Sequence, residues 1–239
     1  MTFKADLFAG KTALVTGATQ GIGAAVANRL ASLGARTIAA GLPSQADELN
    51  PGIEARFGDV SRADDVERLL EGLDELDIVV NCAGVIRRGA EHDPAVFEQV
   101  VAVNLTGTMR VCSAARDRLA RRAGCIVNTA SMLSFFGGSL VPAYAASKGG
   151  VAQLTKSLAL AYAADGVRVN AVAPGWIATP LTQALQDDPQ RSGPILQRTP
   201  LGRWGRPEDV ADGVAFLCAP AAAFMTGVIL PIDGGYLAA

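Results

Sequence analysis

Tyr144 and Lys148 stand four residues apart in the run PAYAASKGG (142–150), and Ser131 lies thirteen residues before the tyrosine. Four apart on a helix is one turn, so the phenol and the ammonium share a face. A free phenol has a pKa of about 10, too high for a base at neutral pH. A cation one turn away favours the phenolate. Lowering the pKa by about 3 units takes roughly 4 kcal/mol, which cations in a partly dry cleft can supply. Ser131, at the end of an apolar run, can hold a substrate oxygen by hydrogen bond. The chemistry these three residues suit is removal of a hydroxyl proton while hydride leaves the carbon.

A hydride needs an acceptor, and the sequence TGATQGIG (16–23) offers a place for one. It follows a β-branched run and opens a helical one. Gly17, Gly21 and Gly23 allow a sharp turn and close approach by a ligand, and the N–H groups of the helix start suit a pyrophosphate. The spacing is GxxxGxG rather than GxGxxG.

The elements that must position these residues alternate along the chain. Strand-like runs are expected at 12–16, 36–40, 53–60, 77–84, 125–131, 167–175 and 227–235, and helical runs at 21–34, 66–73, about 95–121, 144–166 and 207–220. Apolar strands alternating with helices predict an α/β fold: a doubly wound parallel sheet of about seven strands with helices on both faces. No linker or change of composition divides 1–239, so one domain is expected. The stretch of about 176–206, with prolines at 180, 189, 194 and 200 and Pro207 just beyond, reads as a long irregular lid over the site.

Composition excludes several other chemistries. Half of the 239 residues are apolar, 18% are charged and the net charge is −2, which supports a packed core and no nucleic-acid partner. No apolar signal-peptide core opens the sequence and no run is long enough for a membrane span, so a cytoplasmic protein without a membrane partner is expected. Cys82, Cys112, Cys125 and Cys218 are scattered and read as reduced, buried thiols. The single histidine, His92, sits in a polar turn and reads as a surface residue, which argues against a metal site or a serine hydrolase.

TGATQGIG, NCAG (81–84), VNLTG (103–107), Ser131, YAASK (144–148) and PG (174–175) occur in the order of the short-chain dehydrogenase/reductase family, which the whole chain resembles. The resemblance implies a single Rossmann domain, an NAD(P)-dependent oxidoreductase acting on a CH–OH group, and a homotetramer. It implies catalytic roles for Ser131, Tyr144 and Lys148, a second task for Lys148 on the nicotinamide ribose, and a water-mediated proton relay at Asn104. Along the cofactor it places Gly17, Thr19, Gln20, Gly21, Ile22 and Gly23; Gly41 and Leu42; Asp59 and Val60 for the adenine; Asn81, Ala83 and Gly84; and Pro174, Gly175, Ile177 and Thr179. NCAG departs from the usual NNAG, and Cys82 is expected to point into the core.

NAD enzymes usually carry an acid at the end of the second strand, and NADP enzymes a base near it. Here Gly41 and Leu42 hold those positions. With no base to balance a 2′-phosphate, NAD is the expected cofactor. The short segment Gly41 to Ile53 leaves Asp47 or Glu48 as candidates for the ribose hydroxyls.

The small-molecule substrate should meet Arg87, Arg88, Ser131, Leu133, Tyr144, Trp176, Arg203 and Trp204. Arginines at the carboxyl end of a strand suit an anionic substrate. GVIRR, ASMLSF, VPAY, GRWG and DGGYLA resemble a sugar-acid branch of the family, the 2-dehydro-3-deoxy-D-gluconate 5-dehydrogenases, which implies sugar-acid metabolism. A 3-oxoacyl (acyl-carrier-protein) reductase using NADPH, a polyol or sugar dehydrogenase, and a non-catalytic dinucleotide-binding scaffold are the alternatives.

Overall fold

The computed structural model describes residues 3–44 and 48–239. Short apolar runs become strands because both faces of the sheet are covered. The strands β1 (Thr12–Thr16), β2 (Arg36–Gly41), β3 (Glu54–Phe57), β4 (Ile78–Asn81), β5 (Cys125–Thr129), β6 (Arg168–Pro174) and β7 (Ile229–Ile232) form one sheet. Its order is β3-β2-β1-β4-β5-β6-β7. Every pairing is parallel. This is the doubly wound architecture expected from the alternating pattern. The registers Thr16↔Asn81 and Asn81↔Asn128 bring the carboxyl ends of β1, β4 and β5 level. The chain changes winding direction between β1 and β4, and a crevice opens at such a switch point.

Helices α1 (Gly21–Ser32), α2 (Ala63–Leu69), α3 (Pro94–Val101), α4 (Thr108–Ala120), α5 (Pro142–Tyr162), α6 (Gln183–Gln186), α7 (Pro189–Arg198) and α8 (Pro207–Cys218) complete the layers. One core packs α1 and α8 on the sheet through Val26, Leu30, Val214 and Leu217. The other sets α2, α4 and α5 on the opposite face through Leu69, Leu119, Leu158 and Tyr162. Each large apolar side chain so buried stabilises the fold by about 1.5–3 kcal/mol. Proline at the first position starts α3, α5, α7 and α8, where its fixed φ fits and its missing N–H is not needed.

The long helical run expected over about 95–121 is interrupted. Ala102–Gly107 is a π-helical turn between α3 and α4, and it carries Asn104. Such turns are frequent at functional sites.

The segment 176–206 is less irregular than expected, since it contains α6 and α7. Its two ends are tied together: Gly205 N–H donates to Trp176 O at 2.9 Å and Ala178 N–H to Gly205 O at 2.8 Å. Among the described residues no helix is long and apolar enough to cross a membrane, and no cluster of ligating side chains could hold a metal ion.

Candidate active site

The buried stripe of α5 runs through Ser147, Lys148, Val151, Thr155 and Leu158, and it seats the helix so that Tyr144 and Lys148 face the carboxyl end of β5. There Ser131 opens a short turn whose cap is reciprocal. The Ser131 hydroxyl accepts the Leu133 N–H at 3.1 Å, and its own N–H donates to Ser134 Oγ at 3.2 Å. Ser134 Oγ donates in turn to Lys148 O at 2.7 Å, which ties the turn to α5. The Ser131 hydroxyl also faces the Tyr144 phenol, whose pKa it lowers. The three residues singled out by spacing are therefore brought together.

Their electrostatics differ from the expectation in one respect. Lys148 is 4% exposed, and its Nζ donates to Thr129 O at 2.7 Å. It stands 5.6 Å from the centre of the Tyr144 ring. Burial pushes its pKa down to about 8. Burial raises the Tyr144 phenol above its usual 10; the Ser131 hydrogen bond opposes this rise and the Glu91 carboxylate adds to it. One of the three Lys148 N–H donors is thus taken by a backbone carbonyl, and Ser131 acts on the phenol in the direction of the phenolate.

Asn104 is fully buried, and its amide is used up. Oδ1 accepts the Val85 N–H at 2.8 Å, while Nδ2 donates to Val85 O at 2.9 Å and to Ser147 Oγ at 3.0 Å. Its main-chain carbonyl accepts the Thr108 hydroxyl at 2.8 Å. The side chain clamps the exit of β4 to α5.

The glycine-rich turn is shaped by contact. Gly17 has φ +64°, and a Cβ there would stand 2.5 Å from Ala83 N. A Cβ on Gly23 would stand 2.1 Å from Gly17 O, so the turn closes only with hydrogen at both positions. Gly84 lies over Lys148, where a Cβ would come within 3.6 Å of Nζ. Gly41 faces Thr19, which a Cβ would meet at 3.2 Å. Thr179, near the start of the 176–206 segment, would meet a Cβ on Gly21 at 3.6 Å, so that segment begins beside the turn. Glycine backbone at the start of α1, at the switch point, suits a dinucleotide pyrophosphate, which would take the place of the Glu48 carboxylate now on the Gly21 N–H.

The remaining cofactor-side residues fall along this edge. Pro174 ends β6, and Gly175 is pressed against Asp233, 2.7 Å from where its Cβ would be. Ile177 is buried. Asp59 Oδ1 accepts the Ser61 N–H at 2.8 Å, and Val60 fills the space beside Gly107. Asn81 Nδ2 donates to Asn128 Oδ1 at 2.9 Å, so its side chain holds the sheet together. Leu42 is exposed at the end of β2, Gln20 accepts from Ser44 at 3.3 Å, and Ile22 packs on the core. Glu48 does not turn toward the end of β2: its carboxylate accepts the Gly21 N–H at 2.6 Å at the start of α1. Asp47 lies outside the described residues. Cys82 packs against the core as expected, accepting from Thr129 Oγ1 at 3.4 Å.

On the substrate side, Arg87 and Arg88 are exposed after β4, and Leu133 is half-buried beside Ser131. Partial burial and the charge of Arg191 on α7 hold Arg88 below its usual pKa. Arg203 is engaged instead with Asp209, at 2.7 and 3.1 Å. Trp204 Nε1 donates to Ser192 Oγ at 2.9 Å, and its ring meets Trp176 edge-on at 5.9 Å. Trp176 Nε1 is buried without a hydrogen-bond partner among the described residues. A surface cavity of about 600 Å³ is lined in part by Trp176, Arg203 and Asp209 but reaches none of Ser131, Tyr144 and Lys148.

Reading the sequence missed several groups here. Arg198 lies over the Tyr236 ring at 4.3 Å and the Phe136 ring at 5.5 Å. Glu91 is 1% exposed and touches the backbone of both Arg87 and Tyr144. An acid beside paired arginines was a visible signal for Glu91; the aromatic stack had none, because its members lie far apart in the chain.

Fold and site together define an NAD(P)-dependent oxidoreductase acting on a CH–OH or keto group. The family model described as Enoyl-(Acyl carrier protein) reductase matches residues 17–237. The chain belongs to the short-chain dehydrogenase/reductase family, and it closely resembles the sugar-acid dehydrogenases within it. It is 42% identical over 241 residues to the 2-dehydro-3-deoxy-D-gluconate 5-dehydrogenase of Bacillus subtilis, covering 95% of each chain. It is 41% identical over 245 residues to a galactitol 2-dehydrogenase (L-tagatose-forming) of Cereibacter sphaeroides, again covering 95% of each. A crystal structure from Agrobacterium tumefaciens, provisionally assigned as a 2-deoxy-d-gluconate 3-dehydrogenase with bound NADP, superposes with a TM-score of 0.90 at 39% identity, over 99% of this chain and 100% of that one.

That structure and one from Beutenbergia cavernae, provisionally assigned as an NAD(P) dependent gluconate 5-dehydrogenase (TM-score 0.89, 38% identity, 99% and 100% covered), both hold NADP, the latter at low occupancy. The expected preference for NAD is therefore corrected. It rested on the lack of a base at the end of β2, but among the described residues there Gly41 and Leu42 supply no acid to repel a 2′-phosphate either. Gly41, Leu42 and Ser44 hold that end among the described residues, with Thr19 and Gln20 beside it offering uncharged hydrogen-bonding groups.

Proposed function

We propose that the protein oxidises a secondary hydroxyl of a small sugar acid, or reduces the corresponding ketone, with Tyr144 transferring the proton and NAD(P) the hydride. The observation that carries this reading is the meeting of Ser131, Tyr144 and Lys148 at the strand end that faces the glycine-rich turn. Ser131 holds the reacting oxygen and the Tyr144 hydroxyl on one side. Tyr144 takes the hydroxyl proton. Lys148 orients the cofactor ribose from its seat on Thr129 O. Bound oxidised nicotinamide accepts the hydride and brings a positive charge near the phenol. Asn104, with its side chain consumed, serves the relay through its backbone.

A sugar acid is favoured by Arg87 and Arg88, exposed at the carboxyl edge beside the site, and by the names of the relatives. The segment 176–206 acts as the lid of a single domain spanning 1–239. The proposed homotetramer is supported by Leu160 on α5 and Phe224, both largely exposed to solvent in one chain, and light scattering reads it directly. Cytoplasmic placement belongs to the same proposal. The test of the activity is NAD(P)H absorbance with a panel of sugar acids, polyols and 3-oxoacyl thioesters, each with both cofactors. Turnover confined to the thioesters, or none with any carbonyl or alcohol, overturns it.

A further inference from the structure

Helix α5 has no side-chain cap of its own: Val141 precedes it, Pro142 opens it, and no side chain from its own flank reaches its first N–H groups. Glu91 supplies one from a distance. Its Oε2 accepts the Tyr144 N–H at 2.8 Å and its Oε1 the Arg87 N–H at 2.7 Å. One carboxylate thus joins the arginine turn to the residue that carries the phenol. Two further contacts run beside it, Gly89 N–H to Leu140 O at 2.8 Å and His92 Nε2 to Ser139 O at 2.9 Å. A carboxylate this deeply buried is costly unless its oxygens are satisfied, and here both oxygens meet N–H donors, one at the positive end of a 21-residue helix.

We propose that Glu91 is a positioning residue for proton transfer: its carboxylate sets the first turn of α5, and with it Tyr144, relative to the arginine turn that faces the substrate. It rests on the reading of Tyr144 as the proton-transfer group. An amide at this position would turn an NH₂ toward one of the two N–H donors, so one bond is lost and a donor is left facing a donor. The carboxylate also acts through its charge. The phenol is faced by Ser131 and Lys148 as well as Glu91, and Glu91 is faced by Arg88, which is itself coupled to Arg191 on the lid. Because the charge of Glu91 raises the phenol, removing it moves the Tyr144 titration to lower pH.

Glu91→Gln and Glu91→Asp are compared with wild type and Tyr144→Phe. The measurements are kcat and KM with the sugar acid that turns over, NADPH fluorescence titration, and phenolate absorbance against pH. The Tyr144 signal in that titration is the wild-type curve minus that of Tyr144→Phe. The expected result for Glu91→Gln is a kcat lower by about 10- to 100-fold, the loss for one buried hydrogen bond to a charged group. NADPH affinity stays near that of wild type, and the Tyr144 midpoint moves down. Glu91→Asp restores the midpoint but not kcat. Turnover by Glu91→Gln within about twofold of wild type, with an unmoved midpoint, overturns the proposal. Turnover by Tyr144→Phe overturns the underlying reading instead. Hydrogen exchange on the wild-type protein gives a test without variants: the Tyr144 and Arg87 amides are expected to be slowed together by at least about a hundredfold, and free exchange of either removes the bridge.

Discussion

At the turn after β1, backbone lies against backbone: a Cβ on Gly17 would stand 2.5 Å from Ala83 N, and one on Gly23 would stand 2.1 Å from Gly17 O. Across the cleft, Arg87 and Arg88 are exposed, and Arg203 has a carboxylate partner of its own. The first wall tolerates almost no atom added. The second is made of long side chains whose positions depend on their partners. On the reading proposed above, the cofactor and proton transfer are held by steric necessity and buried hydrogen bonds, while selection of the molecule is left to groups that can be changed without disturbing the sheet.

The comparison breaks first at the phenol if it breaks at all. Tyr144→Phe is expected to lower kcat by about 10³-fold or more while NADPH still binds, as fluorescence titration would show. Next, Gly23→Ala should weaken NADPH binding by at least about 100-fold or prevent folding, because the methyl has no room beside Gly17 O. A Gly23→Ala protein with wild-type affinity would mean that the rigid wall is not rigid. On the other wall, Arg88→Ala should raise KM for a sugar acid by about 10-fold or more with kcat little changed. Arg203→Ala, whose charge is already paired with Asp209, should leave KM within about twofold. Equal effects of the two would erase the distinction between free and engaged arginines.

The smallest effect is on stability. The Lys148 ammonium is held in a buried place that lowers its pKa from 10.5 to about 8. The unfolded chain binds that proton more tightly, so wild-type stability rises with pH between those two values. Lys148→Met should therefore melt at a higher temperature than wild type at pH 7. The gain should shrink above pH of about 8 and vanish near 10.5. A gain independent of pH would assign it to packing rather than charge.

The parts legible in the sequence are those fixed by local spacing. β1 and β4 were visible as apolar runs ending in glycine turns, and Ser131, Tyr144 and Lys148 by their intervals, because strands, turns and helix faces are local rules. Glu91 had only its place beside the paired arginines to mark it, and its bond to Tyr144, which spans 53 positions, is announced by no interval. Helix α7 was hidden by Pro194 inside it, which read as a break; burial of Ser192 and Ile195 holds it as a helix nonetheless. The cofactor preference failed for another reason. Gly41 and Leu42 put neither an acid nor a base at the end of β2, and the missing base was given the deciding weight although it is an acid that repels a phosphate.

The bonds between Trp176, Ala178 and Gly205 join the two ends of the 176–206 segment. A loop whose ends are already joined has met most of its closure entropy at the join, and lengthening it then costs only a fraction of a kilocalorie per mole for each few residues. As the lid proposed above, the 176–206 segment would be an exchangeable cassette: one of another length and composition could be set on the same two anchor points, and the sheet beneath would carry out the same hydride transfer on a different molecule.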